Sequence, residues 1–221
     1  MNKYESNTWT QMPQGAMRPG GLQLTGQLLQ LAALENRARI LDIGCGLGST
    51  VGKLNELGYR AMGVDSSQKL IEKGRIEYPD THLLVADGAD LPFDAGSFDA
   101  VICECSLSVM PAQHVLAECN RLLRPGGKVL ISDLYVRQKP QTIGLDTLDA
   151  GLMTRDQWVE LLEQSGFAHI QFVDSSKDLT EFVIRTIWKH GSLEEIFDCR
   201  QWRQAKLAKP GYFLSVATKG R

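Results

Sequence analysis

Leu41-Asp42-Ile43-Gly44-Cys45-Gly46-Leu47-Gly48 decides the reading of this chain. Its upstream half, Arg39-Ile40-Leu41-Asp42-Ile43, is a short apolar run that predicts a buried strand ending at Gly44. Downstream, residues 50–57 predict a helix closed by Gly58. A glycine-rich turn from strand to helix lets the backbone bend sharply and lets a ligand approach the main chain. Such a ligand lies outside the carboxyl ends of the strands, at the switch point of a parallel sheet. Taken alone, the loop has a second reading, a tight turn that binds nothing.

The pattern repeats outward from this loop. Arg60 to Val64 predicts a second strand ending at Asp65, and Ser67 to Lys73 a helix closed by Gly74. His82 to Ala86 is a third strand ending at Asp87, and Asp99 to Cys103 a fourth. Residues 111–123 predict a helix stopped by Arg124-Pro125-Gly126-Gly127, and Lys128 to Ser132 a fifth strand. Strands alternating with helices imply βαβ crossovers and a mostly parallel sheet. Upstream, Leu24, Leu28 and Leu31 give one apolar face to a helix over Leu24 to Leu34, after the break at Pro19-Gly20-Gly21. Downstream, Thr154-Arg155-Asp156-Gln157 is a capping box with Trp158, Leu161 and Leu162 behind it, and Gly166 ends that helix. Ile170 to Val173 and Tyr212 to Thr218 read as strands that pair antiparallel at a sheet edge. A second capping box, Ser192-Leu193-Glu194-Glu195, opens a helix whose Arg200, Arg203 and Lys206 read as a solvated face.

Composition narrows the function classes. The chain has 221 residues, with 24 basic and 26 acidic side chains, a net charge of −2. That balance leaves no electrostatic footprint for nucleic acid or an anionic membrane. The length fits one domain. Met1 to Gly15 is polar and without an apolar core, so a secretory signal is not expected. The five cysteines, Cys45, Cys103, Cys105, Cys119 and Cys199, are odd in number and irregular in spacing. They suit reduced thiols in a cytoplasm better than a disulfide framework, and no spacing suggests a metal site.

The acids behind the loop carry the chemistry. Asp65 follows Asp42 by 65 − 42 = 23 positions, where a carboxylate can accept both ribose hydroxyls. Asp87, within Ala86-Asp87-Gly88-Ala89-Asp90-Leu91-Pro92-Phe93, can accept from an adenine amine while the Gly88 amide meets a ring nitrogen. Caps explain single acids at strand ends, but three at successive ends point to one pocket.

With these come Ser97-Phe98-Asp99 and Leu122-Leu123-Arg124-Pro125-Gly126-Gly127. The ordered set resembles the class I S-adenosylmethionine (SAM)-dependent methyltransferases. It is closest to the small-molecule branch that includes the quinone-biosynthesis C-methyltransferases. The resemblance is strong over about residues 38–135 and looser over 150–173 and 210–219. It implies a Rossmann-like α/β fold: a seven-stranded, mostly parallel sheet with an antiparallel last strand and helices on both faces. It implies one domain over 1–221, with an N-terminal arm or lid at 1–21, a SAM-binding core at 38–135 and a helical insertion at 174–208 near the acceptor.

By position, the resemblance assigns Asp42, Gly44, Cys45 and Gly46 to the methionine part of SAM, Asp65 and Ser66 to the ribose, and Asp87 and Gly88 to adenine. Cys103 and Glu104 would lie under the sulfonium and amino group, and Arg18 would meet the SAM carboxylate or sit solvated in a turn. Many relatives carry histidines after strand four, where this chain has Leu107-Ser108-Val109. The catalytic base is therefore unassigned, with Glu104 the one candidate beside the pocket and His82, His114, His169 and His190 unplaced.

The expected activity is methyl transfer from SAM to a small-molecule acceptor, leaving S-adenosylhomocysteine (SAH), by a monomer or homodimer in the cytoplasm, without metal, nucleic acid or membrane. Two other classes share the loop: a nicotinamide oxidoreductase, for which Ser49 stands in the third glycine's place, and a non-catalytic SAM-binding protein. A minor alternative uses Cys103 and Cys105 as thiols for a soft metalloid acceptor, against the plainer reading of one packed and one pocket-lining cysteine. Phe182, Val183, Ile187 and Trp188, interleaved with Arg185 and Lys189, either roof the acceptor pocket or pack on the sheet edge or a partner.

Overall fold

Five apolar runs line up side by side, and two later ones complete the sheet. The computed structural model describes residues 18–137, 153–190 and 209–220. The strands are β1 (Arg39–Ile43), β2 (Arg60–Asp65), β3 (His82–Val85), β4 (Phe98–Glu104), β5 (Leu123–Val136), β6 (Phe167–Asp174) and β7 (Pro210–Lys219). Their spatial order is β3-β2-β1-β4-β5-β7-β6. Pairs among β1 to β5 are parallel, and β7 is antiparallel to both β5 and β6. The order reverses between β1 and β4, which is the switch point that opens a crevice at the carboxyl ends of the strands.

The helices are α1 (Gly21–Ala32), α2 (Ser49–Glu56), α3 (Gln68–Glu77), α4 (Ala112–Leu122), α5 (Arg155–Gln164) and α6 (Ser176–His190). Strand alternation sends odd and even residues to opposite cores. Leu41, Ile43, Val101, Cys103, Val129 and Ile131 join Val115, Leu116, Trp158 and Leu162 on one face. Ile40, Ala100, Ile102 and Leu130 join Leu24, Leu28, Val51, Leu54 and Leu179 on the other. Each fully buried Leu, Ile or Val side chain contributes about 1.5–3 kcal/mol.

Several expected boundaries move. α3 does not stop at Gly74 but runs to Glu77, because Gly74 serves close packing: a Cβ there would lie 2.5 Å from the Leu47 carbonyl oxygen. β5 begins at Leu123 instead of Lys128, since Phe98 pairs with Leu123 and Ala100 with Lys128, leaving Arg124–Gly127 as a bulge. β6 begins at Phe167, and α1 at Gly21. The core face of α1 is Leu24, Thr25, Leu28, Leu29 and Ala32, with Leu31 only half-buried. The capping box at Thr154 forms as expected, with Gln157 and Thr154 bonding reciprocally. Residues 1–17 of the expected arm at 1–21, the Ser192 capping box with its helix, and Cys199 lie outside the described residues.

Candidate functional site

Gly44, Gly46 and Gly48 all have positive φ (77°, 55° and 86°), so the loop after β1 adopts a course that side chains disfavour. A Cβ at Gly44 would come within 2.6 Å of the Ser106 Cβ, whereas a Cβ at Gly46 would meet nothing within 4 Å. Gly44 is thus a contact between the loop and the turn after β4, and Gly46 opens its main chain to the crevice. Asp65, half-buried at the end of β2, accepts from the Gly46 amide (2.9 Å) and the Ser67 amide (2.8 Å). Its carboxylate therefore fastens the loop to the start of α3. Ser66 beside it is exposed.

Asp87 is exposed at the end of the third strand and accepts from the Ala89 amide (3.0 Å). Gly88 is buried, its Cα close enough to Ile43 that a Cβ would lie 2.8 Å from Cγ2. The segment that follows is held by α4: Glu118 accepts from the Leu91 amide, and Arg121 donates to the Leu91 and Phe93 carbonyls.

On the α1–α2 face of the switch point, five polar side chains share one buried patch. Glu104, at the end of β4, accepts from Thr25 Oγ1 (2.9 Å) and Thr50 Oγ1 (2.8 Å) and pairs with Arg18 Nη2 (2.8 Å). Arg18 Nη2 also donates to both threonine oxygens (2.9 and 2.8 Å). Burial works most strongly against the Arg18 charge, but Glu104, with Tyr212, Asp42 and Cys105 behind it, outweighs burial and the guanidinium pKa is raised. Arg18 Nε is buried and has no hydrogen-bond partner among the described residues. Asp42, beneath the loop, is pushed well above the usual carboxylate range by burial and by Glu104, against the opposing pull of Arg18.

The structure thus brings together Arg18, Asp42, Gly44, Cys45, Gly46, Asp65 and Glu104, with Asp87 and Gly88 at the end of the next strand. It separates Cys103, whose thiol is fully buried on the opposite face, bonded to Cys119. The expectation that Cys103 lies under a sulfonium is therefore corrected: strand alternation turns it away from Glu104. Cys105 has φ 56° and a thiol pushed up to about 12 by burial and then by the Asp133 charge. At neutral pH it is not a thiolate, so the metalloid reading loses its nucleophile. Both oxygens of Glu104 already accept from three donors, Thr25, Thr50 and Arg18. His82, His114 and His169 are exposed.

Residue reading missed Thr25, Thr50, Ser106, Ser108, Asp133 and Tyr212. A threonine set among the buried leucines of α1 was the available signal for Thr25. An aspartate interrupting Val129-Leu130-Ile131-Ser132-Asp133-Leu134-Tyr135 was the signal for Asp133.

Comparison with known proteins adds to this geometry. Residues 41–131 match a family described as a methyltransferase domain. The uncharacterized methyltransferase YodH of Bacillus subtilis is 30% identical over 173 residues, 74% of this chain and 74% of that protein. The ubiquinone biosynthesis O-methyltransferase of Xanthomonas oryzae is 30% identical over 160 residues, 70% of this chain and 64% of that one. Among solved structures, Haemonchus contortus phosphoethanolamine N-methyltransferase 2, in complex with phosphomonomethylethanolamine and SAH, aligns with a TM-score of 0.75. It is 20% identical, and the alignment covers all of this chain and 60% of that one. With the antiparallel β7 set between β5 and β6, these likenesses set the nicotinamide reading aside.

Proposed function

Since the chain belongs to the class I SAM-dependent methyltransferases, we propose that it methylates a small-molecule acceptor, with the switch-point cluster holding the cofactor. The observation that carries the cofactor roles is the Nε of Arg18 beside Glu104, buried and unpartnered among the described residues. A buried donor without an acceptor is costly, by about 1–3 kcal/mol, and a ligand carboxylate relieves that cost. The residues fit the cofactor in other respects. Gly46 leaves room for a chain where a Cβ would stand, Asp65 and Ser66 would hold the ribose, and Asp87 with Gly88 would read adenine. Glu104 supplies the anion for the amino group, and Asp42 underlies the loop.

SAM held there would supply a sulfonium-borne methyl to an acceptor lone pair, its carbon–sulfur bonding pair departing with the sulfur as a neutral thioether. The chain's task is then alignment and exclusion of water rather than acid, base or metal chemistry. This reading suits a site whose carboxylates are bonded to neighbours and whose thiols are protonated. A base is needed only for an acceptor that must lose a proton.

A small acceptor is supported by the near-neutral charge and by the small molecules named for the Xanthomonas and Haemonchus relatives. No helix among the described residues is long and apolar enough to cross a membrane. The test is incubation with methyl-tritiated SAM and a desalted cell extract plus its returned metabolite fraction. Label is expected in the low-mass fraction. Label confined to protein or nucleic acid contradicts the proposal.

A further inference from the structure

The turn after β4 borders the crevice at the glycine loop, and its fixation is unusual. It is a single 3-10 turn, Leu107–Val109, following Cys105 in a left-handed conformation. Three ties hold it. The Cys105 amide donates to the Ser132 carbonyl (2.6 Å), and Ser106 Oγ donates to the Ile43 carbonyl (3.0 Å). The third tie is Asp133, fully buried near the end of β5. Asp133 Oδ2 accepts from the Ser108 amide (2.9 Å) and Oδ1 from the Leu134 amide (2.7 Å). The Ser108 hydroxyl and the Leu107 amide also bond to this carboxylate. The turn in turn touches the crevice: a Cβ on Gly44 would strike Ser106 at 2.6 Å and the Met110 methyl at 3.0 Å, and one on Gly88 would lie 3.7 Å from the Met110 sulfur.

We propose that Asp133 is a positioning residue: by gathering the donors of Leu107 and Ser108 it sets the turn whose Ser106 and Met110 wall the cofactor crevice, and so sets cofactor affinity. This rests on the methyltransferase reading of the same site. A short turn with one 3-10 repeat has little stability of its own. A carboxylate receiving three amides and a hydroxyl can supply it, since buried N–H groups must find acceptors. The groups facing Asp133 are the thiols of Cys103 and Cys105 from β4, the Tyr212 phenol from β7, and the turn itself. Burial raises its pKa to about 6, against the hydrogen bonds that favour the charge. Protonation there places an O–H among donors, and the turn loosens.

The experiment is SAH calorimetry on wild type and Asp133→Asn at pH 7.5 and 5.0, with hydrogen exchange of the amides of residues 107–110. At pH 7.5 the variant is expected to bind about tenfold more weakly and to exchange those amides faster. Between the two pH values wild type should lose a similar factor beyond whatever the variant loses, with the midpoint of that difference near 6. Asp42, raised by burial and by Glu104 in both proteins alike, cancels in the comparison. Ser108→Ala, which removes only the hydroxyl donor, serves if Asp133→Asn does not fold, with the same direction and a smaller effect. Wild type that binds no SAH at pH 7.5 overturns the methyltransferase reading and this inference with it. Wild type that binds, matched by a variant of equal affinity, equal exchange or an equal pH step, overturns the inference alone.

Discussion

Two buried carboxylates close the ends of adjacent strands, and they are satisfied by opposite means. Glu104 at the end of β4 is met by side chains from three distant places: Arg18 ahead of α1, Thr25 in α1 and Thr50 in α2. Asp133, in the neighbouring strand, is met mainly by main-chain amides of a turn and of its own successor. Side chains rotate, so the first cluster can hand its bonds to a ligand. Main-chain donors move only with the chain, so the second is a fixed frame. The crevice thus has one adaptable face and one rigid wall. Gly44 joins them, because its missing side chain lets the loop touch the turn.

The largest test of this contrast is Glu104→Gln. It leaves the Arg18 guanidinium buried without its main counter-charge, and breaking a buried pair from one side costs about 3–5 kcal/mol. Denaturant melts should show a loss in that range. A loss below about 1 kcal/mol would mean the cluster behaves as a solvated surface pair, and the contrast would fail.

A second test uses pH. The folded pKa of Asp133 lies at about 6, above an unfolded value near 4. Its protonated form therefore contributes stability that is complete below about pH 4 and is lost as pH rises through about 6. Wild type minus Asp133→Asn stability should fall by roughly 2 kcal/mol over that window. A difference that is flat or rises with pH would show that the carboxylate is not buried as described.

The smallest effect belongs to the opposite end of the sheet. Asp99 accepts from the Arg39 amide (2.7 Å) and pairs with Arg124 (2.5 Å). Burial opposes its charge, but these partners outweigh it and the pKa is lowered. Its contribution is present above the unfolded value and disappears as pH falls through the lower folded one. Asp99→Asn should cost about 1 kcal/mol at pH 7, discounted for the exposed arginines, and converge with wild type in strong acid. SAH affinity should not change, since Asp99 sits at the amino end of β4, away from the crevice.

What could be read from residues alone follows the same division. The loop and Asp42, Asp65 and Asp87 were legible because strand, turn and acid are neighbours in sequence, and their periodicity carries the sheet as well. The clusters on Glu104 and Asp133 were not. Thr25 and Glu104 are 79 positions apart, and Ser108 and Asp133 are 25 apart. Their meeting depends on which helix covers which strand end. Cys103 was misplaced for a related reason: nearness to Glu104 in sequence is, in a strand, assignment to the opposite face. Gly74 was read as a stop because a helix-ending glycine and a close-packing glycine look alike until the Leu47 carbonyl is placed.

The claim on which the rest stands is that the glycine loop and the strand-end acids form one cofactor site. Calorimetry with SAH tests it most directly, on wild type, Asp65→Ala and the Asp99→Asn control. The account predicts micromolar binding by wild type and the control and a loss of at least a hundredfold in Asp65→Ala, where a ribose anchor and the tie to Gly46 vanish together. No heat from wild type, or equal affinity in Asp65→Ala, would contradict it.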